Sequence, residues 1–168
     1  MPATTLPLPA DPLTAAAFAP FGWLPVADTD PADGAHTLHF EWADPHLNVI
    51  GHSGAEIDHA VSGAPVCAEM FRHRTHTQAL MTLNVESVVA VAAPDTEFSS
   101  GADLESVRVF RLRPLDRFVL FPGTWHWGPF PLGSEPVQLL NVQGLRYADD
   151  NERVDLLERT ASALEVVV

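Results

Sequence analysis

The stretch Phe118-Val-Leu-Phe-Pro-Gly-Thr-Trp-His-Trp-Gly-Pro-Phe-Pro131 decides the fold. Its first four residues are apolar and of strand-forming type, and Pro122-Gly123 ends them in a turn. Thr124, Trp125, His126 and Trp127 follow at once, so the chain re-enters a sheet with a histidine held between two large aromatics. A second polar cluster, Glu69-Met-Phe-Arg-His-Arg-Thr-His-Thr-Gln78, lies about forty residues upstream and precedes its own apolar run. Strand alternation puts Glu69, Phe71 and His73 on one face and Met70 and Arg72 on the other. Beyond a bend at Arg74-Thr75, His76 and Gln78 are again cofacial. Glu69 and His73, with His76 or Gln78, can therefore line one wall of a barrel interior.

Outward from these clusters the chain reads as short strands and turns. Residues 22–54 alternate apolar runs (23–26, 37–42, 47–50) with turn clusters at 28–34 and 43–45. His36, His39, His46, His52 and His59 are scattered there without the close pair spacing of a metal site, and His39 and His52 are the two worth following. Residues 87–93 are apolar at successive positions, the pattern of a strand covered on both faces. Residues 107–112 read as a strand with Arg108 and Arg111 exposed at an edge, and 136–142 as a returning strand. Two short helices flank these strands. In the first, Asp11 is the cap, Pro12 the first helical residue, Leu13, Ala17, Phe18 and Phe21 one apolar face, and Gly22 the stop. In the second, Asp149-Asp-Asn-Glu152 caps a helix carrying Val154, Leu156 and Leu157. Fifteen prolines and ten glycines spaced by short apolar runs favour an all-β fold.

The length of 168 residues predicts a single domain, residues 1–168, with residues 1–10 as a flexible tail. Apolar residues make up 46%, yet no apolar run approaches the roughly eighteen residues of a membrane span. The N-terminus lacks the basic and apolar regions of an export signal, and the single cysteine, Cys67, excludes an internal disulfide. Both point to a reducing cytoplasm. A net charge of −13 argues against nucleic-acid partners, and nothing points to a membrane. Lysine is absent, so all nine bases are arginines and a lysine nucleophile or Schiff base is excluded. Arginine is also the better two-pronged partner for a carboxylate.

The two clusters, each on a strand of an all-β domain, resemble the two halves of a cupin barrel. Arg72-His73 followed by Thr77-Gln78-Ala79, the apolar run 88–93 ending at Pro94, and then Pro-Gly-Thr-Trp-His126 is similar in order and spacing to the ureidoglycolate lyase family. Phe18-Ala-Pro-Phe-Gly22 resembles that family's opening helix and turn, and the similarity runs over residues 13–142. The resemblance implies a cupin-like β-barrel or sandwich with short flanking helices at both ends of the chain. It also implies a cytoplasmic homodimeric carbon–nitrogen lyase of the amidine-lyase type. Its reaction would convert (S)-ureidoglycolate to glyoxylate and urea in allantoin and purine degradation, with the Trp, Phe and Pro residues after His126 available for an interface.

That reaction needs a base for the hydroxyl proton, an acid for the departing urea nitrogen, and a cation or metal for the carboxylate. Glu69 or His126 is the candidate base, and His73 the acid or a metal ligand. Gln78 is the partner of the ureido group, Arg72 or Arg74 binds the carboxylate, and Trp125 joins them in substrate binding. If His73 points inward, Arg72 and Arg74 on the same regular strand point outward, so an arginine helps only through a bend or across a dimer interface. Cupin barrels commonly hold a divalent metal, here nickel or zinc, and the ligands on offer are His73, His76, Gln78 and His126. Gln78 stands where many cupins carry glutamate, and this set does not itself choose among nickel, zinc and no metal. The chain departs from the family pattern at Arg74, where proline is usual, at His76, where a small residue is usual, and at Trp127, where histidine is usual. Two rival readings stand beside the lyase: another metal-dependent cupin enzyme, and a non-catalytic cupin that binds a small acid.

Overall fold

The computed structural model describes residues 4–25, 36–41 and 44–168. In chain order the strands are β1 Thr4–Pro12, β2 Gly22–Trp23, β3 Pro45–His52, β4 Asp58–His59, β5 Pro65–Cys67, β6 Glu69–His73, β7 Gln78–Thr82, β8 Ser87–Ala92, β9 Arg108–Leu112, β10 Arg117–Leu120, β11 Trp125–Pro131, β12 Val137–Gly144, β13 Asn151–Asp155 and β14 Ser162–Val167. Two short helices, α1 Ala15–Phe18 and α2 Leu156–Thr160, complete the fold. The strands form a curled nine-stranded sheet, β13-β6-β11-β8-β9-β1-β14-β5-β4, and a five-stranded sheet, β2-β10-β7-β12-β3. The architecture is all-β and cupin-like, a half barrel closed by a second sheet. No helix among the described residues is long and apolar enough to cross a membrane.

β8 explains the layering, because every one of its residues is buried. Val89 and Val91 face the five-stranded sheet and pack with Leu80, Phe118, Leu120 and Leu139, while α1 and its turn plug that space with Phe18 and Phe21. Val88, Ala90 and Ala92 face the other way, into a second cluster with Trp125, Trp127, Phe98 and Leu156. A strand enclosed on both faces has no polar side to alternate with, hence its unbroken apolar run. The Trp and Phe residues after His126 also belong to this second core, so Trp127 and Phe130 are buried rather than available for an interface.

The ends of the chain differ from the sequence reading. Residues 4–10, expected within a tail, form most of β1, which runs parallel to β14 and then to β9. Pro7 and Pro9 are tolerated because that part of β1 pairs along one edge, where alternate N–H groups have no ladder partner. Helix α1 begins later than expected. Its cap is Thr14, whose hydroxyl accepts from the Ala17 N–H at 3.3 Å, while Asp11 lies in β1 and pairs with Arg108. Residues 151–155, read as a helix cap and first turn, extend as β13 along β6, and Asp155 caps α2 instead. The edge of β6 offers a full ladder of backbone partners, which outweighs a local helix preference. Arg108 and Arg111 do point to solvent, but β9 is an interior strand between β8 and β1. The turn cluster 28–34, the end of the run 23–26 and residues 42–43 lie outside the described residues. Of the expected strand 37–42, Phe40 makes a single bridge to His76.

Candidate active site

The space between the sheets is apolar at the α1 end and polar at the other. The polar end is a cavity of about 330 Å³. β6 and β11 supply one wall, and β7, β12 and β3 the other. Trp125 and Trp127 pack in the second core, and His126 between them lines the cavity, whose lining Trp127 also reaches. The Pro122-Gly123 turn is docked on the neighbouring histidine strand: the Gly123 N–H donates to the His73 carbonyl at 2.6 Å, and the Thr124 hydroxyl to the Phe21 carbonyl at 2.9 Å. The two sequence clusters are thereby brought side by side. The His73 and His126 ring centroids are 5.4 Å apart and those of His73 and His76 are 4.9 Å apart.

The wall opposite is a ladder of amides. Gln78 donates both amide hydrogens, to Asn141 Oδ1 at 3.0 Å and Gln143 Oε1 at 3.1 Å, and Asn141 donates in turn to Asn48 Oδ1 at 2.8 Å. This network turns the Gln78 carbonyl oxygen away from its neighbours and leaves it buried without a partner, as are His73 Nδ1 and His76 Nε2. Buried polar atoms are rarely left unpaired, and two of these residues, His73 and Gln78, line the cavity, which marks it as a place built for a guest. The Thr124 carbonyl accepts from His126 Nδ1 at 3.2 Å, which makes Nε2 the lone-pair nitrogen of that ring.

Burial dominates the electrostatics. It holds His126 down to about 4, and, with the charges of His126 and His76 adding to it, His73 down to about 3. Burial lowers His76 as well, against the opposing pull of Asp150. All three rings are therefore uncharged near neutral pH, available as lone-pair donors rather than as cations.

Asp150 is the residue that motif reading missed, having been taken for part of a helix cap. The β13 register, Asn151 opposite His73, delivers it beside the histidines. Its Oδ2 accepts from the Thr75 N–H at 2.8 Å and the Thr75 hydroxyl at 2.7 Å, and lies 3.5 Å from His76 Nδ1. Gln143 and Tyr147, which line the cavity, and Asn141, which holds Gln78 from behind, also escaped the sequence reading. Phe40 stacks on His76 at 6.1 Å and 6°, and a Cβ on Gly144 would come within 3.1 Å of His76 Nδ1, so His76 is tightly walled. His52 lines the cavity, bonded to Glu56 at 3.1 Å, whereas His39 is exposed beside Glu41.

The remaining sequence candidates lie at the mouth or behind the wall. Glu69 lines the mouth, its carboxylate held by Arg153 of the next strand. Arg72 faces the other side of β6. It makes a two-pronged pair with Glu152 at 2.8 and 2.7 Å, donates to the Pro94 carbonyl at 3.0 Å, and lies 4.0 Å over the Trp125 ring. Arg74 joins the same carboxylate at 2.8 Å. Arg72, Arg74 and Trp125 thus line a separate outer cavity of about 700 Å³, where Glu152 takes up the charge of both arginines.

Beside the inner cavity, which His73 lines, three residues could hold a metal ion. Ligand atoms of His73, His76 and Asp150 lie within 4.8 Å of one another, and two of these residues carry unpartnered buried nitrogens. Imidazole and carboxylate together suit first-row divalent ions. The family model described as ureidoglycolate lyase matches residues 5–163 of the chain. No curated protein matches it.

Proposed function

We propose, from the premise that this chain belongs to the ureidoglycolate lyase family, that it splits (S)-ureidoglycolate into glyoxylate and urea. The observation that carries this reading is the pairing of two opposed groups across one buried cavity: His126 with its Nε2 lone pair and Gln78 with its free carbonyl oxygen. The substrate carbon bears a hydroxyl, a carboxylate and a ureido nitrogen. Gln78 Oε1 accepts from a ureido N–H and orients the leaving group. His126 Nε2 takes the hydroxyl proton, the electron pair of the O–H bond closes the glyoxylate carbonyl, and the carbon–nitrogen pair leaves with the ureido nitrogen. The imidazolium of His126 then returns its proton to that nitrogen, completing urea and restoring the neutral ring. Burial disfavours the imidazolium, so the proton is handed on rather than kept. Phe71, Leu80 and Phe130 in the cavity lining limit competing water.

A divalent ion would be held by His73, His76 and Asp150 and would supply positive charge against the substrate carboxylate. Glu69, at the mouth and tied to Arg153, is the second candidate base. The test follows glyoxylate, urea and ammonia separately on racemic ureidoglycolate. Glyoxylate with equal urea, and a fall in kcat of roughly 10²- to 10⁴-fold in His126→Ala with the fold intact, are the expected results. Ammonia in place of urea would make the enzyme an amidohydrolase. Binding of glyoxylate without turnover would make the protein a small-acid receptor.

A further inference from the structure

The inner cavity is chemically lopsided along β6. Glu69 and His73 stand at opposite ends of that strand, four residues and about 13 Å apart. The Glu69 end collects the acids. β11 runs antiparallel to β6 with His126 opposite Phe71, so Phe130 lies toward the Glu69 end, and His52 with its partner Glu56 packs against Phe130 there. The His73 end holds neutral donors instead. Asn151 lies directly opposite His73 and shares its face, and the Tyr147 ring stands edge-on to the His73 ring with centroids 6.2 Å apart. Both residues line the cavity. A phenol O–H and an amide N–H give the hydrogen bonds that a carboxylate accepts. Lysine is absent from the chain and no arginine is among the described lining residues, so neither competes for that role.

Tyr147 is carried by the turn between β12 and β13, and that turn is braced along its length. The Leu145 N–H donates to the Asp44 carbonyl at 3.0 Å, the Tyr147 N–H to the Gly144 carbonyl at 3.1 Å and the Asp149 N–H to the Arg146 carbonyl at 2.9 Å, while the Asp150 carboxylate accepts twice from Thr75. An aromatic side chain left 44% exposed on such a turn, with its ring against a cavity histidine, is placed to meet a guest rather than to fill the core. We propose that Tyr147 and Asn151 hold the carboxylate of a ureido acid at the His73 end of the cavity and so fix which way round it binds. The N–H beside the reacting carbon then stays with Gln78, and the terminal amide of the ureido group faces Glu69 and Glu56, which accept its hydrogens. His126, opposite Phe71, stands midway, at the carbon between the two groups. Like charge at Glu69 and Glu56 opposes the reversed orientation. The ureido acid as guest rests on the lyase reading; the donor end of the cavity does not.

The experiment uses the full chain in chelator-containing buffer and two unreactive probes, ureidoacetate and its amide, ureidoacetamide. Binding is followed by calorimetry, and each variant is checked for fold by circular dichroism. Tyr147→Phe should weaken ureidoacetate about tenfold or more and ureidoacetamide no more than about threefold, because the lost bond is charge-assisted only in the first. Asn151→Ala should show the same selectivity. Tyr147 is the sole tyrosine of the chain, so its nitration, located by peptide mapping, reports the contact directly and should be slowed by saturating ureidoacetate. Equal losses for the two probes, no loss for either, or undiminished nitration would overturn the proposal, as would failure of the wild type to bind ureidoacetate. Selective loss in a protein that does not turn over ureidoglycolate upholds the two donors and removes the lyase reading. Turnover of ureidoglycolate with KM unchanged in Tyr147→Phe does the reverse.

Discussion

Replacing His126 by glutamine should flatten the pH dependence of folding stability, by an amount that burial sets. His126 is 8% exposed, and burial lowers its ring from 6.5 in the unfolded chain to about 4. A depressed histidine is neutral in the folded state while its unfolded counterpart takes up a proton, so stability is greatest above the unfolded value and is lost as pH falls toward the folded one. Between about pH 7.5 and about pH 5 this single group should cost the wild type about 2 kcal/mol that the variant does not lose. The proximity of His126 is also the second cause of the lowering at His73, so its removal lets His73 rise and reduces the slope further. Urea unfolding of both proteins in chelator-containing buffer at several pH values measures the difference directly. Equal slopes for wild type and variant would refute the claim that His126 is buried uncharged, and the role of its lone pair with it.

Two other outcomes test the remaining assignments. Arg72→Ala removes a two-pronged pair, a carbonyl contact and the stacking on Trp125, and should destabilise the fold by about 2–3 kcal/mol while leaving KM nearly unchanged. A large rise in KM with unaltered stability would return Arg72 to the substrate. Cys67 is fully buried and burial pushes its thiol well up, so it should resist a disulfide reagent until the protein unfolds. Rapid labelling of the native protein would contradict that packing.

The sequence by itself determined the class of fold, the family and the two strands that carry the histidines. Those signals are local: the unbroken apolar run of β8, the Pro-Gly turn before Trp125, and the alternation that separates His73 from Arg72 depend on a few consecutive residues. Alternation alone also foretold that Arg72 and His73 would face opposite ways, and the structure puts them in different cavities. Tertiary structure decided the rest. Asp150 reaches His76 only through the pairing of β13 with β6, between residues some 75 positions apart, and nothing near Asp150 in the chain announces it. The free oxygen of Gln78 depends on Asn141 and Gln143 accepting both of its hydrogens from a strand over 60 residues away. Likewise, the ends of the chain look like a tail and a helix until β9, β14 and β6 offer them backbone partners. Local pattern reports which face of its own strand a residue occupies. Which other strand that face meets is set by sheet pairing over long separations, and in this protein that pairing decides which groups share the cavity.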